Sequence, residues 1–228
     1  MKMLQKHLKL IAVAGLVGLV YLGWPASPDI EQQPDETPQH FAYRYQLKQA
    51  DAYLYNTKFI GQRWRGTRIL NTLAEKAPSP YNINALTTLF EYHRFHGLHR
   101  TEWLNRSWHE PLPRGYVENA ADAAIRLAEI APEKAADLLA EFIIYPVTVP
   151  ALPKEAIELV RKAAEKGTTQ AIKAMRVYCT DDRFWHPCSS EETEKWKKRD
   201  AEATIESTRQ TVNETPSEPS STPSNESE

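Results

Sequence analysis

Apolar residues fall at helical spacing in one stretch of this chain after another, and clear breakers separate the stretches. The pattern predicts helices over residues 41–60, 63–77, 82–96, 116–130, 133–145, 154–166, 169–179 and 190–207. Pro78-Ser79-Pro80 stops the second, and Gly97 is expected to end the third. Residues 97–115, with Pro111, Pro113 and two tryptophans, read as a long connection. Ala, Leu, Glu and Lys dominate the middle of the chain and only eight glycines occur, so composition leans the same way as spacing.

Helices of this length joined by short turns invite a search for a repeat. A shift of 36 places Ala120, Ala128, Glu129, Ala135, Leu139 and Phe142 on Ala156, Ala164, Glu165, Ala171, Met175 and Tyr178. A shift of 37 places Leu159, Arg161, Ala164 and Glu165 on Trp196, Lys198, Ala201 and Glu202. Residues 74–78 mirror residues 128–132 at a shift of 54, the excess being assigned to the long connection. Alanine lets two helix backbones approach, and a large neighbour fills the groove of the next hairpin. The expected fold is all-α: an N-terminal membrane helix, then antiparallel helical hairpins stacked as a short α-solenoid.

The ends of the chain read differently. Lys2, Lys6 and Lys9, with no acid among them, precede the uncharged run 10–24, which places the N-terminus in the cytoplasm. Tyr21 and Trp24 suit an interfacial position at the exit. A cleaved signal peptide is the rival, but every cut between Gly23 and Ser27 meets Tyr21, Trp24 or Pro28 at a position that disfavours it. Residues 1–24 are therefore expected to be a signal anchor in a bacterial inner membrane, with the rest in the periplasm; secretion after cleavage is the alternative. Residues 25–39 read as an extended Pro/acidic linker, 40–203 as the helical domain and 204–228 as a disordered acidic Ser/Thr/Pro tail. Cys179 and Cys188 flank a polar, aromatic turn, and in an oxidising compartment they are expected to form a disulfide.

Residues 161–167, Arg-Lys-Ala-Ala-Glu-Lys-Gly, followed by Ala171, Met175 and Tyr178, resemble the signature of the Sel-type repeat, a branch of the tetratricopeptide superfamily. In that family a basic-Ala-Ala-acidic-x-Gly turn precedes an Ala, a Leu and a Tyr. Ala164, Glu165, Gly167, Ala171 and Tyr178 carry the resemblance, and Trp196 looks like the start of a further unit. It covers about 154–203 and reaches weakly back to 116. Arg176 stands where the family prefers Gly, Ala131 where a turn Gly is expected, and 40–115 does not match. The resemblance implies a concave protein-binding surface without catalysis.

Charge adds a second candidate. Residues 40–115 hold 11 Lys/Arg against 5 Asp/Glu, whereas 116–203 hold 13 against 16. In the basic half Arg63, Trp64 and Arg65 interleave charge with a flat ring, and Trp103 and Trp108 recur downstream. That pairing suits a glycan or an anionic lipid headgroup, and equally the cap of a small core. Nucleic acid is excluded by compartment. His93, His96 and His99 would share one face only if the helix continued past Gly97, so no metal is assigned. No phosphate loop, nucleophile elbow or paired-carboxylate motif is present, and neither cofactor nor catalytic residue is expected. The leading expectation is a protein–protein interaction scaffold for another envelope protein; the alternative is a glycan- or lipid-binding module over 60–110.

Overall fold

The computed structural model of the chain describes residues 27–55, 60–103, 114–145, 152–184 and 187–213. Regular structure among them is helical throughout: α1 (Pro38–Tyr55), α2 (Ile60–Lys76), α3 (Tyr81–Trp103), α4 (Arg114–Ala128), α5 (Pro132–Ile144), α6 (Lys154–Glu165), α7 (Thr169–Thr180), a 3-10 turn (Asp182–Phe184) and α8 (Ser190–Asn213). The protein is all-α. The expected membrane helix over 1–24 lies outside the described residues, and within them no helix is long and apolar enough to cross a membrane.

Local chemistry sets several of the ends. Thr37 Oγ1 accepts the His40 amide at 3.3 Å, with Pro38 at the first helical position of α1. Ser189 Oγ accepts the Glu192 amide at 3.2 Å at the start of α8. At the end of α6, Gly167 adopts φ +100, its amide donates to Ala164 O at 3.0 Å, and the Thr168 amide donates to Ala163 O at 3.1 Å. Those two bonds are the Schellman closure, and only Gly enters that backbone region without strain.

Three boundaries differ from expectation. α3 runs through Gly97 to Trp103. A single interior Gly costs only about 1 kcal/mol, and no proline follows until Pro111, so the helix continues. α8 runs past residue 203 to Asn213, because extending a docked helix adds a hydrogen bond per residue and the next proline is Pro216. Residues 27–37 are non-helical as expected, but they fold back on α1 rather than extend. Arg44 donates to both Glu36 carboxylate oxygens (2.9 and 2.6 Å) and to Glu31 O (2.7 Å). Ser27 Oγ lies 3.3 Å from the Tyr45 hydroxyl.

Each helix packs on the next in the chain, and α1 also meets α3, α4 meets α6 and α5 meets α7. One core runs through all of them. Gly66 brings α2 close to α1: a Cβ there would stand 2.8 Å from Leu54 Cδ2 and 3.1 Å from Ala50 O. Phe90 of α3 meets Phe142 of α5 edge-on, with ring centroids 5.7 Å apart.

Burial recurs at fixed separation. Ala120, Ala121 and Ala124 of α4 are buried, as are Ala156, Ile157 and Val160 of α6, 36 residues on. Ala135, Ala136, Leu139 and Ile143 of α5 stand to Ala171, Ile172, Met175 and Cys179 of α7 in the same way. At a separation of 54, buried Leu70 and Leu73 of α2 match Ala124 and Leu127, and Ala85, Leu86 and Leu89 of α3 match Leu139, Ala140 and Ile143. The last correspondence is Val160 with Trp196, again at 36, where the sequence alignment at 37 had set Leu159 on Trp196. Val160 and Trp196 are both fully buried while Leu159 is half-exposed, so the burial pattern coincides at 36 and not at 37.

Candidate interaction surface

The Arg- and Trp-rich segment is split by helix geometry. Successive residues point about 100° apart, so α2 turns Trp64 outward (57% exposed), leaves Arg63 and Arg65 half-buried and buries Gly66. The guanidinium that covers Trp64 belongs to Arg68, 5.4 Å from its ring, one turn on. Arg63 faces α3: its Nε is buried with no hydrogen-bond partner among the described residues. Burial raises the Tyr92 hydroxyl and the Arg63 charge draws it partly back. Trp103 occupies the last turn of α3, but its side chain, like all of Trp108, lies outside the described residues. Of the five expected ligand-binding residues, three are thus placed, and of these three Trp64 presents an exposed ring.

A second cluster, which no motif announced, crosses α1, α3 and α5. Tyr55 (44% exposed) meets Tyr92 edge-on at 6.2 Å, and Arg94 lies 5.7 Å from the ring of Tyr145 (50% exposed). Arg94 is shared between two carboxylates, Glu141 at 3.0 Å and Glu91 at 3.8 Å. Burial raises the Glu91 carboxyl; Arg94 opposes this and Glu141 adds to it. Burial likewise raises Asp51, with Lys48 opposing. The Tyr55 hydroxyl is pushed up to about 12 by burial first, then by the charges of Asp51 and Glu91. Three carboxylates, one shared guanidinium and two half-exposed tyrosine rings give a surface able to take both apolar and cationic groups. These residues lie too far apart in sequence for any short motif. The one usable signal is the 54-residue shift, which sets Glu91 on Tyr145.

His93 stands beside this cluster, half-buried, its ring 5.2 Å from Tyr92 and 6.2 Å from Tyr116. The continuity of α3 removes the reason for breaking the His93, His96, His99 register at Gly97, but the last two side chains lie outside the described residues.

The repeat-signature residues sit on α6–α8. Ala164 and Ala171 are fully buried at the crossing of α6 with α7, Gly167 makes the turn between them, and Glu165 is exposed. Tyr178 is half-buried against Phe184, ring centroids 5.2 Å apart. Trp196 is fully buried under α8, with Lys195 and Arg199 over its ring at 4.7 and 5.3 Å and its Nε1 donating to Glu192 at 3.3 Å. Arg161 of α6 pairs with Glu192, and Arg176 of α7 with Asp200 at 2.6 Å. Cys179 and Cys188 are joined as a disulfide, Cα atoms 5.2 Å apart, across the turn that carries Phe184. Glu192 lies near both sulfurs, but a disulfide has no thiolate for a cation, and this carboxylate is held by Trp196 and Arg161. Against protein-family models, curated proteins and solved structures, the chain gives no match.

Proposed function

We propose that this chain is an interaction scaffold, held in a bacterial inner membrane by residues 1–24, whose helical hairpins stack as a short α-solenoid in the periplasm and bind another envelope protein. The carrying observation is the recurrence of buried positions at 36 residues across α4–α8, and at 54 across α2–α5. A hairpin that repeats its buried face must cover it with the next hairpin, which leaves an extended surface for a partner. The Sel-type resemblance of residues 161–178 supports the same reading, and Gly167 makes the turn which that signature requires. The disulfide is compatible with an oxidising compartment.

The partner face is the aromatic and acidic cluster across α1, α3 and α5. Half-exposed tyrosines beside Arg94 are residue types enriched at interfaces, and the carboxylates around them suit a polar rim. In-cell crosslinking and pull-down test the proposal, comparing the full chain with a version lacking residues 1–24 and exported by a borrowed signal. One stoichiometric protein recovered by both versions supports it. Recovery by neither sinks it.

A second reading has one observation of its own. Trp64, open and backed by Arg68, is a stacking platform for a sugar ring. Calorimetry with soluble cell-wall fragments decides: heat lost in Trp64→Ala favours this reading, and absence of heat in the unmodified chain removes it.

A further inference from the structure

α1 and α5 end on the same pair of residue types. Asp51 stands four residues before Tyr55, the last residue of α1, and Glu141 four before Tyr145, which closes α5. At that spacing the carboxylate and the ring lie on one side of the helix, one turn apart. Both pairs meet α3: Tyr55 packs edge-on against Tyr92 at 6.2 Å, and Glu141 takes Arg94 at 3.0 Å. Neither helix carries a basic residue in its last turn, so no side chain of that turn offsets the negative carbonyl end.

α3 serves the two pairs unequally. To α5 it gives a guanidinium: Arg94 is bound to Glu141 and lies 5.7 Å from the Tyr145 ring, so one cation takes both a carboxylate and an aromatic face. To α1 it gives a carboxylate instead. Glu91 and Asp51 both act by their charge on the Tyr55 hydroxyl, which gathers two acids about one ring. The Glu91 side chain is 43% exposed and that of Arg94 17%, so what α3 presents here is the acid. Asp51 forms no ion pair among the described residues, and the exposed Lys48 acts on it through charge alone. Burial raises both carboxyls, and a further cation would act on them as Lys48 and Arg94 do.

We propose that the partner inserts an arginine beside Tyr55, its guanidinium held by Asp51 and Glu91 as Arg94 is held by Glu141 beside Tyr145. This rests on the aromatic and acidic cluster being the partner face. The occupant follows from charge complementarity. Two carboxylates and a half-exposed ring match a planar cation that forks to carboxylates and stacks on aromatic faces. A lysine brings a point charge without the stacking plane, and an apolar segment would cover both acids without a counter-charge. Arginine is also among the residues that anchor protein interfaces.

The test uses the full chain in a non-ionic detergent, with a ring-fluorinated tyrosine placed singly at position 55 or 178. A blocked peptide of alternating alanine and arginine is expected to move the fluorine line at 55 and leave that at 178. The same peptide with citrulline, which keeps the shape and loses the charge, is expected to move neither. Asp51→Asn, which leaves Arg94 and its partners in place, is expected to weaken the arginine peptide about fivefold or more, and Glu91→Gln to act likewise. In the cell, Asp51→Asn is expected to lower by a similar factor the protein adduct formed by a photocrosslinking residue at position 145. A silent line at 55, equal movement at 55 and 178, or movement by the citrulline peptide overturns the arginine seat. An adduct at 145 that Asp51→Asn leaves unchanged overturns the seat and leaves the partner face standing. No protein adduct at 145 overturns both.

Discussion

The two halves of the domain handle charge differently. In α6–α8 two charges are partnered across helices, Arg161 with Glu192 and Arg176 with Asp200, and Arg183 pairs within its own turn with Asp181 while its Nη1 stays buried without a hydrogen-bond partner. A disulfide and a fully buried tryptophan reinforce the same region. In α1, α3 and α5 one guanidinium serves Glu91 and Glu141, burial raises Glu91 and Asp51, and Tyr55 and Tyr145 are half-exposed. The rear half is tied together by cross-helix ion pairs, a disulfide and a buried indole. The front half holds two carboxyls raised by burial beside two half-exposed tyrosine rings.

The largest way to break the contrast is Trp196→Ala. It empties the space between α8 and α7, and urea denaturation is expected to give a loss of about 3–5 kcal/mol. Denaturation that moved by less than ~1 kcal/mol would mean that α8 is a passive appendage. Replacing both Cys179 and Cys188 by serine comes next, at about 2–3 kcal/mol for so short a loop. The same shift is expected on adding reductant to the unmodified chain, and its absence there would mean that the serines themselves cause the loss. Gly66→Ala probes the front: Leu54 can turn away from the new methyl but the Ala50 carbonyl cannot, so a loss of about 1–3 kcal/mol is expected. An unchanged denaturation midpoint would show that α1 and α2 are not in close contact at Gly66.

The smallest effects carry opposite signs. A raised carboxyl binds its proton more tightly in the folded state, so the stability from Glu91 is present below the ordinary Glu range and is lost as pH rises through the raised value. Asp181, lowered chiefly by its bond to Arg183, contributes stability above the ordinary Asp range and loses it as pH falls through the lowered value. Asp181→Asn should therefore cost about 1 kcal/mol at pH 7, with the loss shrinking in acid. Glu91→Gln should be neutral or stabilising by a few tenths of a kcal/mol at pH 7, since its side chain is 43% exposed and screened, and should converge on the parent near pH 4. Denaturation curves across pH 3–8 decide, and slopes of the same sign for both variants would remove the distinction.

How much of this was legible in the sequence depended on the range of the signal. Helix positions were readable because Pro78, Pro80, Pro132, Pro153 and Gly167 are local punctuation. Local rules also account for the errors: Gly97 reads as a stop, and residues 204–213 read by composition as tail although α8 is already docked through Trp196. The disulfide followed from two cysteines flanking one turn. The acidic and aromatic cluster was not legible, because Tyr55, Glu91, Arg94, Glu141 and Tyr145 meet only after three helices have packed. Conversely, Arg63 and Arg65 looked like one site with Trp64 in the linear chain, and helical rotation separates them.

The most direct measurement places a photocrosslinking residue in the living cell at Tyr55, Tyr145 or Trp64 on the front, or at Lys173 or Lys198 on the rear. The account predicts one protein adduct of constant mass at Tyr55 and Tyr145, weak at Trp64 and absent from both rear positions. Equal adducts at front and rear, or adducts only to glycan at Trp64, would contradict it.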